Sequence, residues 1–171
     1  MSHLNIEIKA RSGNVRFIRE WLLQNGADYK GTDSQTDTYF NVTGGRLKLR
    51  EGNIENNLIS YHRANQAGPK SSHFDLLPVA EPARLKKMLS DTIGVKAIVQ
   101  KTREIYYIKN VKFHLDEVPG LGTFVEIEAG NILADLSGEE LLQQCEYYMM
   151  VFGISENDLL TSSYSDMMPG L

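Results

Sequence analysis

Arg46-x-Lys48-x-Arg50, Lys101-x-Arg103 and Glu126-x-Glu128 each set like charges two residues apart. In an extended strand, residues two apart share a face, so each unit presents its charges together. Lys9 and Arg11 repeat the cationic spacing, and Arg63 shares a face with Tyr61. Cations so grouped suit the oxygens of a phosphate chain. Arginine forks bind two oxygens at once, and lysines act as point charges. The acids gather as Glu126 and Glu128, with Glu7 and Asp116, and paired carboxylates suit a hard divalent cation that also takes phosphate oxygens. Lys70 lies in the loop-like stretch 64–73, a candidate flap that could fold over a ligand.

Strands must position these units. Residues 4–11, Leu-Asn-Ile-Glu-Ile-Lys-Ala-Arg, alternate strictly between apolar and polar, as do residues 46–51. Further strands are expected at 35–40, 58–63, 74–79, 96–102, 104–108, 111–116 and 123–129, with Lys109-Asn110 as a tight turn. Helical spacing of Val15, Ile18, Trp21 and Leu22 predicts a helix ended by Gly26. Pro82 opens a second helix over 81–90, Ser137-Gly138-Glu139-Glu140 opens a third reaching about Val151, and a short one is expected at 155–160. About eight strands in hairpin succession predict an α+β fold, an eight-stranded antiparallel β-barrel with helices packed outside.

For any one strand, a solvated charged face is the simpler explanation. The set resists it, because like charges on neighbouring strands repel and exposed sheet faces usually mix signs. A sheet curled with this face inward makes a lumen with cationic walls and an acidic cluster. Such a lumen needs counter-charge, since desolvated like charges are costly. A polyphosphate with a divalent metal supplies both signs.

The chain has 171 residues, enough for one domain over 1–171, with 42% hydrophobic and 23% charged residues. A net charge of −4, and no basic residues interleaved with aromatics, argue against a nucleic-acid partner. No apolar run approaches a membrane span or a signal peptide. One cysteine, Cys145, excludes an internal disulfide, and a cytoplasmic protein is expected. Apolar strand edges and the amphipathic C-terminal helix permit a homodimer. His62, His73 and His114 lack metal-ligand spacing and read as structural. Tyr39 and Tyr107 read as packing, and Tyr164 either lines a tunnel mouth or belongs to a disordered terminus.

From Asn5-Ile6-Glu7-Ile8-Lys9 to Ser163-Tyr164, the chain resembles the CYTH domain proteins, or triphosphate tunnel metalloenzymes. The class IV adenylate cyclase-like branch looks most similar, through residues 46–51, Tyr61-His-Arg63, Gly68-Pro-Lys-Ser71, Val99-Gln-Lys-Thr-Arg103 and 115–128. The resemblance implies an eight-stranded tunnel that binds ATP or another triphosphate with Mg²⁺ or Mn²⁺. It implies triphosphate contacts from Lys9, Arg46, Lys48, Arg50, Arg63, Lys70, Lys101 and Arg103, and metal contacts from Glu7, Asp116, Glu126 and Glu128. Glu7 and Lys9 match the signature Glu-x-Glu-x-Lys and are the candidate catalytic residues. Its first position is Asn5 here, an uncharged and weaker ligand. The implied reaction is ATP to cyclic AMP and pyrophosphate. A tripolyphosphatase, a thiamine or nucleoside triphosphatase, or a non-catalytic triphosphate-binding protein remain alternatives.

Overall fold

The computed structural model describes residues 3–63 and 66–168; the side chain of Arg63, and Ala64 and Asn65 of the expected flap, lie outside the described residues. Eight strands form a closed barrel. They are β1 (His3–Arg11), β2 (Asp28–Phe40), β3 (Arg46–Glu51), β4 (Asn57–Arg63), β5 (Lys70–Pro78), β6 (Val95–Ile108), β7 (Val111–Val118) and β8 (Gly122–Gly130). Around the ring the order is β1-β5-β4-β3-β2-β6-β7-β8, with β8 pairing back onto β1, and the named pairings are antiparallel.

The alternation of β1 decides which side is which. Ile6, Ile8 and Ala10 point outward into an apolar cluster with Phe113 and Leu115 of β7 and Val125 and Ile127 of β8. Two helices cover that outer surface: α1 (Val15–Gln24), through Ile18 and Leu22, and α3 (Gly138–Val151), through Leu141, Cys145 and Tyr148. Burying each isoleucine or leucine fully there is worth about 1.5–3 kcal/mol. Cys145 is fully buried in this layer, in agreement with a packing role. Ser137 caps α3 in a capping box with Glu140. No helix among the described residues is long and apolar enough to cross a membrane.

Several boundaries differ from expectation. β2 begins at Asp28, earlier than expected, and its residues 28–34 carry no alternating apolar face that would mark them as strand. β6 is one strand of 14 residues, where two were expected. Lys70 and Ser71 open β5 instead of lying in a flap, which shortens that loop. The second helix, α2, spans Pro82–Ile93. Past α3, a 3₁₀ turn at Glu156–Asp158 replaces the expected helix at 155–160. The chain then runs back along β1, with Leu160 N–H donating to the Lys9 carbonyl, and ends in α4 (Tyr164–Met167).

Candidate active site

The inward faces of the strands enclose a cavity of about 370 Å³, lined by Glu7, Lys9, Lys48, Arg50, Lys101, Arg103, His114, Glu126 and Glu128 among others. A cavity of that size holds a small-molecule ligand. On one side the cations surround a carboxylate. Arg50 donates from Nε and Nη2 to Asp37 at 2.9 and 2.8 Å, Lys101 Nζ donates to it at 2.6 Å, and Lys48 Nζ lies 3.6 Å away. Burial opposes the ionisation of Asp37, but the three cations outweigh it and hold the carboxyl well below its usual range. Burial pushes Lys101 down to about 7, with Arg103, Arg50 and Lys48 adding to the shift and Asp37 opposing it.

This cluster corrects one step of the sequence argument. Part of the counter-charge is built into the barrel, so the cationic wall does not depend on a bound polyanion alone. Neighbouring positions continue the pattern. Asp33 accepts from the backbone N–H groups of Asn53, Ile54 and Glu55 at 2.7–3.0 Å, pinning the β3–β4 loop. A Cβ on Gly52 would stand 2.6 Å from both Asp33 oxygens, so this close approach requires glycine. The pinned loop aims Glu55 at Lys112, 2.7 Å away. Burial opposes ionisation of Glu55, but Lys112 and Arg50 hold its carboxyl below the usual range.

The opposite side carries the acids. Arg103 donates to both oxygens of Asp116 at 2.7 and 2.6 Å and to Glu126 Oε1 at 3.1 Å. Lys9 Nζ lies 3.3 Å from the same Glu126 oxygen. Tyr164 donates its hydroxyl to Asp116 at 2.8 Å, and its ring lies under Lys9 Nζ at 3.5 Å. Tyr164 is thus a buried part of the lumen and not a disordered terminus. Asp116 is fully enclosed by these partners and does not line the cavity.

Glu7 and Glu128 face each other across the β1–β8 pair, with Glu126 opposite Lys9. Burial pushes Glu128 up to about 7, and repulsion from Glu7 and Glu126 adds to it. Carboxylates crowded until one holds its proton are the condition that a divalent cation relieves, so Glu7, Glu126 and Glu128 fit a metal. The unfolded chain releases the Glu128 proton near pH 4.5, whereas the folded protein keeps it to about 7. This group therefore contributes stability below pH 4.5 that is lost as pH rises through 7. A metal held here would displace the proton, so the rise in Tm on adding Mg²⁺ or Mn²⁺ should be larger at pH 7.5 than at pH 5.5. Thermal melts with and without chelator measure this; a shift independent of pH contradicts it.

Arg46 stands at the rim, its guanidinium donating to Ser163 Oγ at 2.6 Å and Asp166 at 2.9 Å, which ties α4 to β3. Lys70 is buried, with Nζ donating to the carbonyls of Gln66 and Thr161 at 3.3 and 3.4 Å, and does not line the cavity. Arg11 is exposed and donates to the Leu121 carbonyl at 2.8 Å. Asn5 lines the cavity against Gly130, where its Oδ1 lies 2.5 Å from the place a Cβ would take. Sequence reasoning missed Asp37, Glu55 and Lys112, and it set His114, Tyr39 and Tyr107 aside although all three line the cavity. The alternation Asp33-x-Gln35-x-Asp37-x-Tyr39 could have found the first of these.

Residues 3–164 match the CYTH domain family. A protein of Methanocaldococcus jannaschii named "Putative adenylate cyclase MJ0240" is 22% identical over 176 residues, covering 96% of this chain and 98% of that protein. Among solved structures, the PH1012 protein of Pyrococcus horikoshii superposes with a TM-score of 0.79 at 23% identity, covering 96% of this chain and 99% of that one. The Pct1 RNA triphosphatase of S. pombe superposes at 0.51 with 14% identity, covering 90% and 83%. These likenesses describe a shared barrel.

Proposed function

Because the chain belongs to the CYTH domain family, whose members act on triphosphates with divalent metals, we propose that its tunnel is a metal-dependent active site for a triphosphate. One observation carries the reading: a single buried cavity sets Lys9, Lys48, Arg50, Lys101 and Arg103 against Glu7, Glu126 and Glu128. The cations bind the phosphate oxygens and neutralise charge that develops on them. Asp37 and Asp116 hold the guanidiniums of Arg50 and Arg103 in fixed orientations before substrate arrives. Tyr164 and Glu126 position the Lys9 ammonium, which meets either the phosphate chain or the attacking oxygen. Glu7, Glu126 and Glu128 would hold the divalent cation, which would supply positive charge for a phosphate oxygen and for the attacking hydroxyl or water.

The preferred substrate is ATP, with the ribose 3′-hydroxyl attacking the α-phosphorus and pyrophosphate leaving. The name of the Methanocaldococcus relative and the similarity to class IV cyclases support this choice. Tyr39, Tyr61 and Tyr107 line the same cavity and provide flat surfaces for a base. The second reading is a triphosphatase, in which water attacks the terminal phosphorus; the likeness to an RNA triphosphatase barrel favours it. Asn5, an amide in the lumen, keeps a third reading open in which triphosphate binds without turnover. Incubation with ATP or tripolyphosphate and Mg²⁺ or Mn²⁺, with chromatographic resolution of products, separates them. Cyclic AMP plus pyrophosphate supports the cyclase. Phosphate alone replaces it with the triphosphatase, and binding without product replaces both.

Lys101 supplies a thermodynamic signature. With its pKa near 7 in the free protein, it is largely neutral at pH 8. A polyanion beside it favours the charged form, so binding at pH 8 should take up close to one proton, and at pH 6 far less. Calorimetry in buffers of different ionisation enthalpy reads this difference directly. Equal uptake at both pH values contradicts a phosphate contact at Lys101.

A further inference from the structure

The acidic side of the lumen contains one group that the reading above does not use. His114 lies on β7 directly opposite Glu126, and its side chain is 1% exposed. Its Nδ1 faces Glu126 Oε2 at 3.5 Å and Glu128 Oε1 at 3.7 Å. One donor atom from each of the three residues lies within 4.8 Å of the other two. Donors bonded to one octahedral cation at about 2.1–2.2 Å stand about 3.0–4.4 Å apart, so only small rotations separate this set from a coordination sphere.

The hydrogen bonding around the three residues agrees. Glu126 gives Oε1 to Lys9 and Arg103 and turns Oε2 towards the imidazole. The contact from Nδ1 is at the outer limit of a hydrogen bond, and Nε2, also buried, has no hydrogen-bond partner among the described residues. If Nδ1 carries no proton, its lone pair is directed at two carboxyl groups, which is repulsive once Glu128 has lost its proton unless a cation lies between them. If it carries one, the bond it makes is long, and the buried Nε2 lone pair stays unmatched. Nearby, Glu7 of β1 adds a further carboxylate opposite Glu128, Asn5 offers an amide only, and Lys9 and Arg103 are cations.

On this geometry, and resting on the metal reading proposed above, we infer that His114 is itself a metal ligand. It joins Glu126 and Glu128 in a mixed nitrogen–oxygen site that selects a first-row transition-metal cation, such as Mn²⁺ or Co²⁺, over Mg²⁺. Mg²⁺ takes oxygen ligands and keeps its waters, whereas imidazole suits transition metals. An all-carboxylate site lacks that bias. His114 thus ranks with the carboxylates in fixing which metal the tunnel takes.

Mn²⁺ is added to the whole protein, without triphosphate, and its electron spin echo envelope is recorded. The expected result is ¹⁴N modulation from one coordinated imidazole, which changes to the ¹⁵N pattern when only histidines are labelled. His114→Gln should abolish the modulation and weaken Mn²⁺ binding by about tenfold or more, with Mg²⁺ binding changed much less. Melting in chelator checks that the variant folds, and the wild-type spectrum stands without it. Bound Mn²⁺ with no nitrogen modulation overturns the inference and leaves the metal reading in place. No Mn²⁺ binding at all overturns both.

Discussion

Glu126→Gln is expected to lower metal-dependent turnover on the order of 100-fold or more, the scale on which losing one electrostatic group at a reacting centre acts. The carboxylate serves two partners at once. Oε1 meets Lys9 and Arg103, and Oε2 faces the centre of the acidic cluster. Burial opposes its charge, yet Lys9 and Arg103 outweigh burial and hold its carboxyl well below the usual carboxylate range. Glutamine keeps the volume and can still accept from Arg103, but it presents no charge to a cation. The fold should survive, because Arg103 retains its two bonds to Asp116. Steady-state kinetics with Mn²⁺, alongside a melting curve, measures the effect. Turnover within about threefold of wild type, by contrast with the 100-fold expected, removes Glu126 from the mechanism.

The second large effect concerns stability. Asp37 is fully buried and is the shared counter-ion of Arg50, Lys101 and Lys48. Asp37→Asn removes that shared counter-ion and leaves the three cations, among the described residues, only Glu55, 3.6 Å from Arg50. Breaking a buried pair by removing one partner costs about 3–5 kcal/mol, a large part of the roughly 5–15 kcal/mol that holds a domain folded. Lys101 can shed its proton to soften the loss, so the variant should be most destabilised at low pH, where it cannot. A triphosphate restores the missing charge, and the Tm increase on adding tripolyphosphate should be larger for Asp37→Asn than for wild type. Urea denaturation and ligand-dependent melts test both statements. A cost below about 1 kcal/mol contradicts the role assigned to Asp37.

The legible parts of the barrel were those with one apolar face. β1 and β3 announced themselves because Ile6, Ile8, Leu47 and Leu49 alternate with charges, and the charges then marked the inward side. That was enough to place Glu7, Lys9, Lys48, Arg50, Lys101, Arg103, Glu126 and Glu128 around one cavity. β2 gave no such signal. Its inward residues are Asp33, Gln35 and Asp37, and its outward ones, Thr32, Ser34 and Thr36, are polar and largely exposed. Hydrophobic periodicity is silent where both faces are polar. The built-in counter-ion therefore escaped notice, and the lumen looked more cationic than it is.

Other features depend on long-range contact. Tyr164 reaches Asp116 across 48 residues, and Arg46 reaches Asp166 across 120. Nothing local in Ser162-Ser163-Tyr164 says that the segment folds into the lumen. No second histidine stands at ligand spacing from His114, and its neighbours in the cavity are glutamates contributed by the adjacent strand. The glycine, proline and serine neighbours of Lys70 suggest a flap. Lys70 is the first residue of β5, opposite Glu7.

The central claim is that the barrel lumen binds a triphosphate through its cations and a divalent metal. Its most direct test is calorimetric titration of the wild-type protein with tripolyphosphate, in Mn²⁺ and again in chelator. The account predicts one site per chain, tighter with Mn²⁺ than without, weakened as salt rises and weakened again by Arg50→Ala. No binding in either condition would contradict it, as would binding that neither Mn²⁺ nor the loss of Arg50 affects.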